Sequence, residues 1–588
     1  MLLDGMGRCV GDHGFPFRVP VTTTLPAVLG GIPRSEVRLT DALASRADRI
    51  DTERRYLAHV SATPPIGETS DAPSRAGLVL AALIVVAGVA NLNLSVANVA
   101  LPDIGKHFDS SQTTLDLIAV GYSLGLACSV LWLGALGDRY GRKLMLLLGT
   151  ALAIPMSLLA AYAPSDVVLF AARVGGGVAA GMAYPTTLAL ITALWRGPGR
   201  TNSIALWSAI GGAIASLGPL CSGFLLEHFY WGSVFLITLP LAVVAVALAW
   251  WLVPAHVNES TEQVDNFGGV LSVVLVGALI LSINFAPVPN ARTLSLVLAA
   301  IAVVALGAFY LRQRRAANPL YDLDVAARRT FWVAAAAGII VFGSLMGAAF
   351  VSQQFLQNVL GYSTLEAGAA FLPAVVFMVL VAPRSAKLVE ERGARFTLLC
   401  GYVFLLLAFV AMLLVWKEGS SYWEIAIAYA LIGIGVGFAG TPASHSLTSS
   451  VPVRRAGMAS GTADLQRDLG GAIMQSIFGA LLTAGYAAAA GSLVTSSGKD
   501  VTASTQAELT KSFSSAADTA SRYPASMQDS IVAGAKEAFL HGDQWAYSAG
   551  IVAVLLGAVL VFLAFPKYQE ERRMLERFHA EDSAKVPT

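Results

Sequence analysis

Gly134-Ala-Leu-Gly-Asp138-Arg139-Tyr-Gly141-Arg142-Lys143 is the stretch on which the reading of this chain turns. It parts two long apolar runs with only a few residues, so whatever those runs form must double back at once. Glycines permit so tight a turn, and Arg139, Arg142 and Lys143 place it on the side of a membrane where Lys and Arg collect. Asp138 is the odd member, a carboxylate where lipid headgroups are anionic. It calls for a specific partner, such as a helix N-terminus or an arginine.

The runs on either side are typical of the chain. Of its 588 residues 55% are hydrophobic and 13% charged, with a mean hydropathy of +0.65. A soluble globular protein carries roughly a quarter charged residues. Too little polar surface is left here to coat a water-soluble particle. A net charge of +1 gives no reason to expect nucleic acid as a partner. Cys9, Cys128, Cys221 and Cys400 are widely spaced and the histidines scattered, so neither a disulfide framework nor a metal centre is expected, and no cofactor. The first 75 residues show no basic stretch followed by an unbroken apolar run, so no signal peptide is expected.

A bilayer core of about 30 Å takes about 20 apolar residues per helix. Fourteen runs qualify: 77–99, 112–134, 144–163, 166–192, 203–225, 231–253, 267–286, 293–311, 330–351, 367–389, 397–416, 422–447, 458–484 and 545–565. They are continuous rather than alternating, which excludes a strand barrel. Backbone groups in lipid must be satisfied within each segment, so each is read as a helix. With the N-terminus inside, Arg139, Arg142, Lys143, Arg196, Arg200, Arg312, Arg314, Arg315, Arg328, Arg329, Arg384, Lys387, Arg392, Arg395, Arg454 and Arg455 all fall in cytoplasmic loops. The short opposite loops hold only Lys106, Arg292 and Lys417. This asymmetry predicts both termini in the cytoplasm.

Three pieces are expected outside the bilayer: a disordered cytoplasmic tail over 1–76, a long outer loop over 487–543, and a cytoplasmic tail over 567–588. In the loop, Met527, Ile531, Ala535 and Phe539 recur every fourth residue, which suggests a short amphipathic helix. An extracytoplasmic partner could dock on this loop.

The Gly134–Lys143 turn resembles the signature loop of the major facilitator superfamily, matched at Gly134, Leu136, Asp138, Arg139, Gly141, Arg142 and Lys143. The resemblance implies that this loop gates, with Asp138 and its arginines latching the two halves on the cytoplasmic side. A weaker copy runs from Ala386 to Arg395, matching at Leu388, Glu390, Gly393 and Arg395. The last six segments therefore repeat the first six, with the seventh and eighth as an inserted pair. The expected fold is an all-α membrane protein of 14 transmembrane helices, six plus two plus six: an N-terminal half over 77–253, inserted helices over 254–329, and a C-terminal half over 330–566. That layout is similar to the drug:proton antiporter branch of the superfamily.

Arg173 lies inside the apolar fourth segment, where an unpaired charge costs several kcal/mol, so it must face the bundle interior. The resemblance gives it a part in tuning a proton site; a purely structural arginine bonded to carbonyls of the first helix is the other reading. Gly177 and Gly181 form a small-residue face for close helix contact. Gly218-Pro219-Leu-Cys-Ser222-Gly223 in the fifth segment resembles the branch's antiporter signature, with Ser222 in place of one glycine.

Two departures carry more weight. Where the branch has a membrane aspartate in its first helix, this chain has Asn93, which carries no proton. Asp464 and Asp468 stand in the thirteenth segment where the branch has amides. These two acids are i and i+4 and share a face beside Arg467, so they form a coupled group, serving either proton coupling or helix packing. Asn91, Gln353, Gln354, Gln357 and His445 are further polar residues at membrane depth that could line a cavity with Asn93 and Pro219.

The sequence lacks a GxxxxGK[ST] loop, so ATP is not the energy source within it. The expected function is proton-coupled export of drug-like or amphiphilic small molecules across a bacterial cytoplasmic membrane by alternating access. Export of lipids or an endogenous metabolite is the alternative. An intramembrane enzyme is a remote one, since it needs clustered metal ligands or a Ser–His pair at membrane depth.

Overall fold

The computed structural model describes residues 73–584, except 74, 196, 256–262, 452–455 and 497–500. They belong to one compact unit, Asp71–Thr588, and are helical with no strand among the described residues. The tail expected over 1–76 lies almost wholly outside the described residues.

The long helices are α1 (Ala76–Ser95, resuming as Ala97–Phe108), α2 (Gln112–Tyr140), α3 (Arg142–Ala161), α4 (Asp166–Leu194), α5 (Gly197–His228), α6 (Ser233–Leu236 continuing as Thr238–Leu252), α7 (Asn266–Phe285) and α8 (Arg292–Arg315). They continue with α9 (Arg329–Asn358), α10 (Thr364–Ala370 continuing as Leu372–Arg392), α11 (Ala394–Val415), α12 (Tyr422–Ser449), α13 (Ala456–Ser496), α14 (Ala525–Ala564) and the terminal α15 (Tyr568–Ala584). Thirteen helices among the described residues are long and apolar enough to cross a bilayer. The expected fifth segment, 203–225, falls inside α5, a helix of 32 residues that is not one of those thirteen.

Helix ends follow local chemistry. Ser111 and Ser165 cap α2 and α4 by accepting from Thr114 N–H and Val168 N–H. Ser363 with Glu366, and Ser421 with Glu424, make reciprocal capping boxes at the starts of α10 and α12. At the opposite end the α2–α3 and α10–α11 turns each pivot on one glycine at positive φ, Gly141 at 111° and Gly393 at 87°. The same backbone device thus recurs at matching points of the two halves.

Packing repeats as well. In the first half α2 and α3 pack on α4, and α1 packs on α5 and α6. In the second, α10 and α11 pack on α12, and α9 packs on α13 and α14. α7 pairs with α8 and also touches α2 and α13, which bridges the halves. Trp251, Leu296, Val303, Val304, Leu414 and Leu563 point outward and exposed, as a bilayer-facing surface requires.

The described residues of the segment 487–543 are largely helical. α13 runs on to Ser496, helices Ala503–Lys511 and Phe513–Ala520 follow, and α14 starts at Ala525. The Met527–Phe539 periodicity is the first part of α14, with Ala535 and Phe539 buried. Hydropathy ended α13 too early and began α14 too late, because alanine-rich stretches such as Ala487–Ala490 favour helix without being strongly apolar.

Candidate functional site

Tyr184 on α4 and Arg467 on α13 meet where the halves face one another. Each lies about 15 Å into its helix from the end bearing the Gly134–Lys143 turn, at 1.5 Å per residue, which is about the bilayer midplane. Arg467 Nη1 donates to Tyr184 Oη at 2.6 Å, and the guanidinium stands 4.5 Å from the Tyr184 ring. Its Nε donates to Asp468 Oδ1 at 3.2 Å. Tyr184 is held in turn by Trp207, whose ring lies 5.5 Å away and whose Nε1–H donates to Thr187 Oγ1.

Asp464 and Asp468 are both buried, and each keeps one carboxyl oxygen without a hydrogen-bond partner among the described residues. The pairing read from the sequence is therefore only partly direct. Arg467 bonds to Asp468 and spends its other arm across the interface, while no bond to Asp464 is formed. One partly exposed cation, one buried phenol and two buried acids are gathered here, a set able to take up and release a proton while changing partners.

Arg173 occupies an enclosure within the first half. Its Nη1 donates to the Asn93 carbonyl at 2.7 Å and its Nε to the Ile118 carbonyl at 3.4 Å. The Tyr122 and Phe235 rings flank the guanidinium at 5.0 and 5.7 Å. The Asn93 side chain turns aside, donating to Val89 O and accepting from Thr238 Oγ1. Asn93, Tyr122, Ser157, Arg173 and Phe235 line a small cavity with room for about one water. Arg173 therefore ties α4 to α1 and α2 through carbonyls rather than through an acid. Gly177 and Gly181 bring these helices close: a Cβ at either would stand 2.1–2.2 Å from Tyr122 O or Ser129 Oγ.

At the turn itself, Asp138 Oδ1 accepts from Arg142, with Nη2 at 2.8 Å and Nε at 2.9 Å. Arg142 also donates to Ala189 O on α4, and Lys143 Nζ to Trp250 O on α6. Asp138 thus has the arginine partner the sequence calls for, and that partner belongs to its own half.

The remaining candidates scatter. Asn91 donates to Gly211 O on α5, and Gln353 to Ala367 O within the second half. Gln357 donates across the halves to Val99 O at 3.0 Å, and the Pro219 carbonyl packs against Gly368 of α10. His445 is exposed on α12, and no side-chain bond joins it to either group among the described residues.

Sequence reasoning missed Tyr184 and Asp116. Nothing marks one tyrosine among many, but Asp116 is an acid inside an apolar run and could have been singled out as Arg173 was. Asp543 on α14 went unremarked too; both its oxygens are buried and unpartnered among the described residues.

Residues 83–475 match the family described as the Major Facilitator Superfamily. The multidrug efflux pump LfrA of Mycolicibacterium smegmatis is 30% identical over 502 residues, covering 84% of this chain and 98% of that protein. Methyl viologen resistance protein SmvA of Salmonella typhimurium is 30% identical over 500 residues, covering 84% and 99%. Multidrug resistance protein Stp of Mycobacterium tuberculosis is 32% identical over 395 residues, covering 67% and 73%. Among solved structures, a bacterial homolog of the human lysosomal transporter Spinster, inward-facing and occupied, aligns with a TM-score of 0.55 at 19% identity over 84% of this chain and 98% of that one. At that identity the likeness speaks for the fold alone.

Proposed function

The chain belongs to the major facilitator superfamily, a multi-pass membrane transporter rather than an enzyme, and on that premise we propose that it exports drug-like or amphiphilic small molecules across a bacterial cytoplasmic membrane in exchange for protons. The observation that carries the proton part is the Asp464–Arg467–Asp468–Tyr184 cluster where the halves meet, its two acids and its phenol buried and Arg467 partly so. The cargo class rests on relatives named as efflux pumps and resistance proteins. Both termini and the Gly134–Lys143 turn lie in the cytoplasm in this reading, following the Lys and Arg distribution.

Protonation of Asp464 or Asp468 would weaken the hold of the pair on Arg467 and free it to change partners. Cargo entering from the cytoplasm would displace that proton and restore the ionised pair, and protonation from the far side would release the cargo. The Gly134–Lys143 turn, with its copy around Gly393, would act as the cytoplasmic gate.

Proteoliposomes with an imposed pH gradient and an internal pH dye test this. Addition of cationic dyes, antibiotics or lipids should collapse the gradient faster for a subset of the panel. Acceleration by lipids alone would move the cargo to the lipid class, and no acceleration by any compound would defeat proton coupling.

A further inference from the structure

The end remote from the Gly134–Lys143 turn is sealed by a seam of polar contacts between the halves, and Asp116 lies in it. Asp116 stands one turn into α2 and is 1% exposed. Its Oδ2 accepts from Thr483 Oγ1 of α13 at 2.9 Å, and its Oδ1 from Gln112 Nε2 at 3.0 Å. The same Gln112 amide donates to Gln354 Oε1 of α9 at 2.9 Å. The carboxyl is seated on bare backbone: a Cβ on Gly479 would stand 2.6 Å from Asp116 Cγ. Gln357 to Val99 O, and Thr364 Oγ1 to Gly223 O at 3.1 Å, extend the seam.

Every direct partner of Asp116 is neutral, and no ion pair reaches it among the described residues. From α13 it meets Thr483 and Gly479, and from α9, through Gln112, Gln354. The charged groups on neighbouring segments bond elsewhere: Asp166 of α4 accepts from Ser110, and Lys511 pairs with Asp109 at 2.7 Å. Asp103 and Lys106 in the second part of α1 make no hydrogen bond or ion pair with it among the described residues.

We propose that Asp116 is a proton-binding gate residue, whose neutral form lets the far end close and whose ionised form holds it open. Closing the seam over an ionised carboxyl strips its water without supplying a cation, and a proton removes that cost. Opening the seam parts Asp116 from Thr483, and Gln112 from Gln354, and returns the carboxyl to water. The proton arrives from and returns to the far-side solution, so it shifts the gate equilibrium without entering the exchange stoichiometry. Acid on that side closes the gate. This rests on the alternating-access reading above but not on coupling at Asp464 and Asp468.

The test is a distance across the seam in full-length protein in nanodiscs. Spin labels go at Val167→Cys and Trp423→Cys, exposed at the far ends of α4 and α12, with the native cysteines replaced by serine. Between pH 5 and pH 8 the open-to-closed ratio should rise at least about tenfold with Asp116 intact and less than about twofold in Asp116→Asn. An Asp116→Asn protein that opens with pH as the parent does overturns the proposal, and so does a parent with no pH-dependent distance. Thr483→Val keeps the acid and removes one partner, so its pH midpoint should move by about half a unit or more; an unmoved midpoint also overturns it. Loss of proton-coupled flux in the parent, with the distance change intact, defeats the exporter reading and leaves the gate standing.

Discussion

Arg467 has one guanidinium for two carboxyls and a phenol, and substitutions separate what each contributes. Tyr184→Phe removes the cross-half acceptor while keeping the ring against the cation. A hydrogen bond to a charged donor is worth about 1.5–3 kcal/mol, so substrate turnover should fall roughly tenfold or more while membrane insertion and thermal stability barely change. Unchanged turnover in Tyr184→Phe would show the contact to be incidental. Asp464→Asn and Asp468→Asn should abolish proton-driven uptake while leaving substrate binding or downhill exchange measurable. If the acids only pack the helix, Asp468→Asn strands Arg467 and yield and binding fall together, while Asp464→Asn leaves the Arg467–Asp468 pair and the coupled flux in place. Measuring binding and coupled flux on one purified variant distinguishes the two. Arg173 offers a contrast, since its partners are carbonyls and aromatic faces and its environment does not change charge.

Two elements bear on the gate proposed for the Gly134–Lys143 turn. In the first, Asp138 pairs with Arg142 while 42% exposed. Such exposed pairs contribute about 0–1 kcal/mol, so Asp138→Asn should leave folding and insertion almost intact. A tenfold or larger loss of transport in that variant would place the value of Asp138 in a contact made during the cycle; near-parental transport would remove it from the gate. In the second, α15 straps the matching turn. Tyr568 Oη donates to Glu390 O, Glu571 accepts from Ala394 N–H at the start of α11, and Asp582 pairs with Arg328 at 2.7 Å. Burial pushes the Glu571 carboxyl up from 4.5 to about 7, with the Ala394 bond pulling the other way. A raised acid binds its proton more tightly when docked, so its contribution to docking is full below about pH 4.5 and lost as pH rises through about 7. Amide exchange over 568–584 should therefore be faster at pH 8 than at pH 5 after correction for intrinsic rates. Glu571→Gln should remove that difference, and equal protection at both pH values would rule out the strap's sensitivity.

At the scale of the molecule, reporters fused after Arg329 and after Thr588 should read cytoplasmic, and one at Ser514 outside; a cytoplasmic signal at Ser514 would break the fourteen-helix topology. The sequence by itself determined the solvent, the helical class, the internal repeat and the turn at Gly141 with its echo at Gly393. Each of these is set locally, by run length, by hydropathy or by a backbone position that favours glycine. Arg173, Asp464, Arg467 and Asp468 were legible as well, because a charge inside an apolar run stands out against its neighbours. What the sequence left open was which groups meet. Tyr184 reaches Arg467 over 283 positions of chain, and Asp116 reaches Thr483 over 367. Those pairings depend on the angle and depth at which whole helices pack, and only the tertiary structure decided them, because no local pattern encodes the distance between residues on different helices.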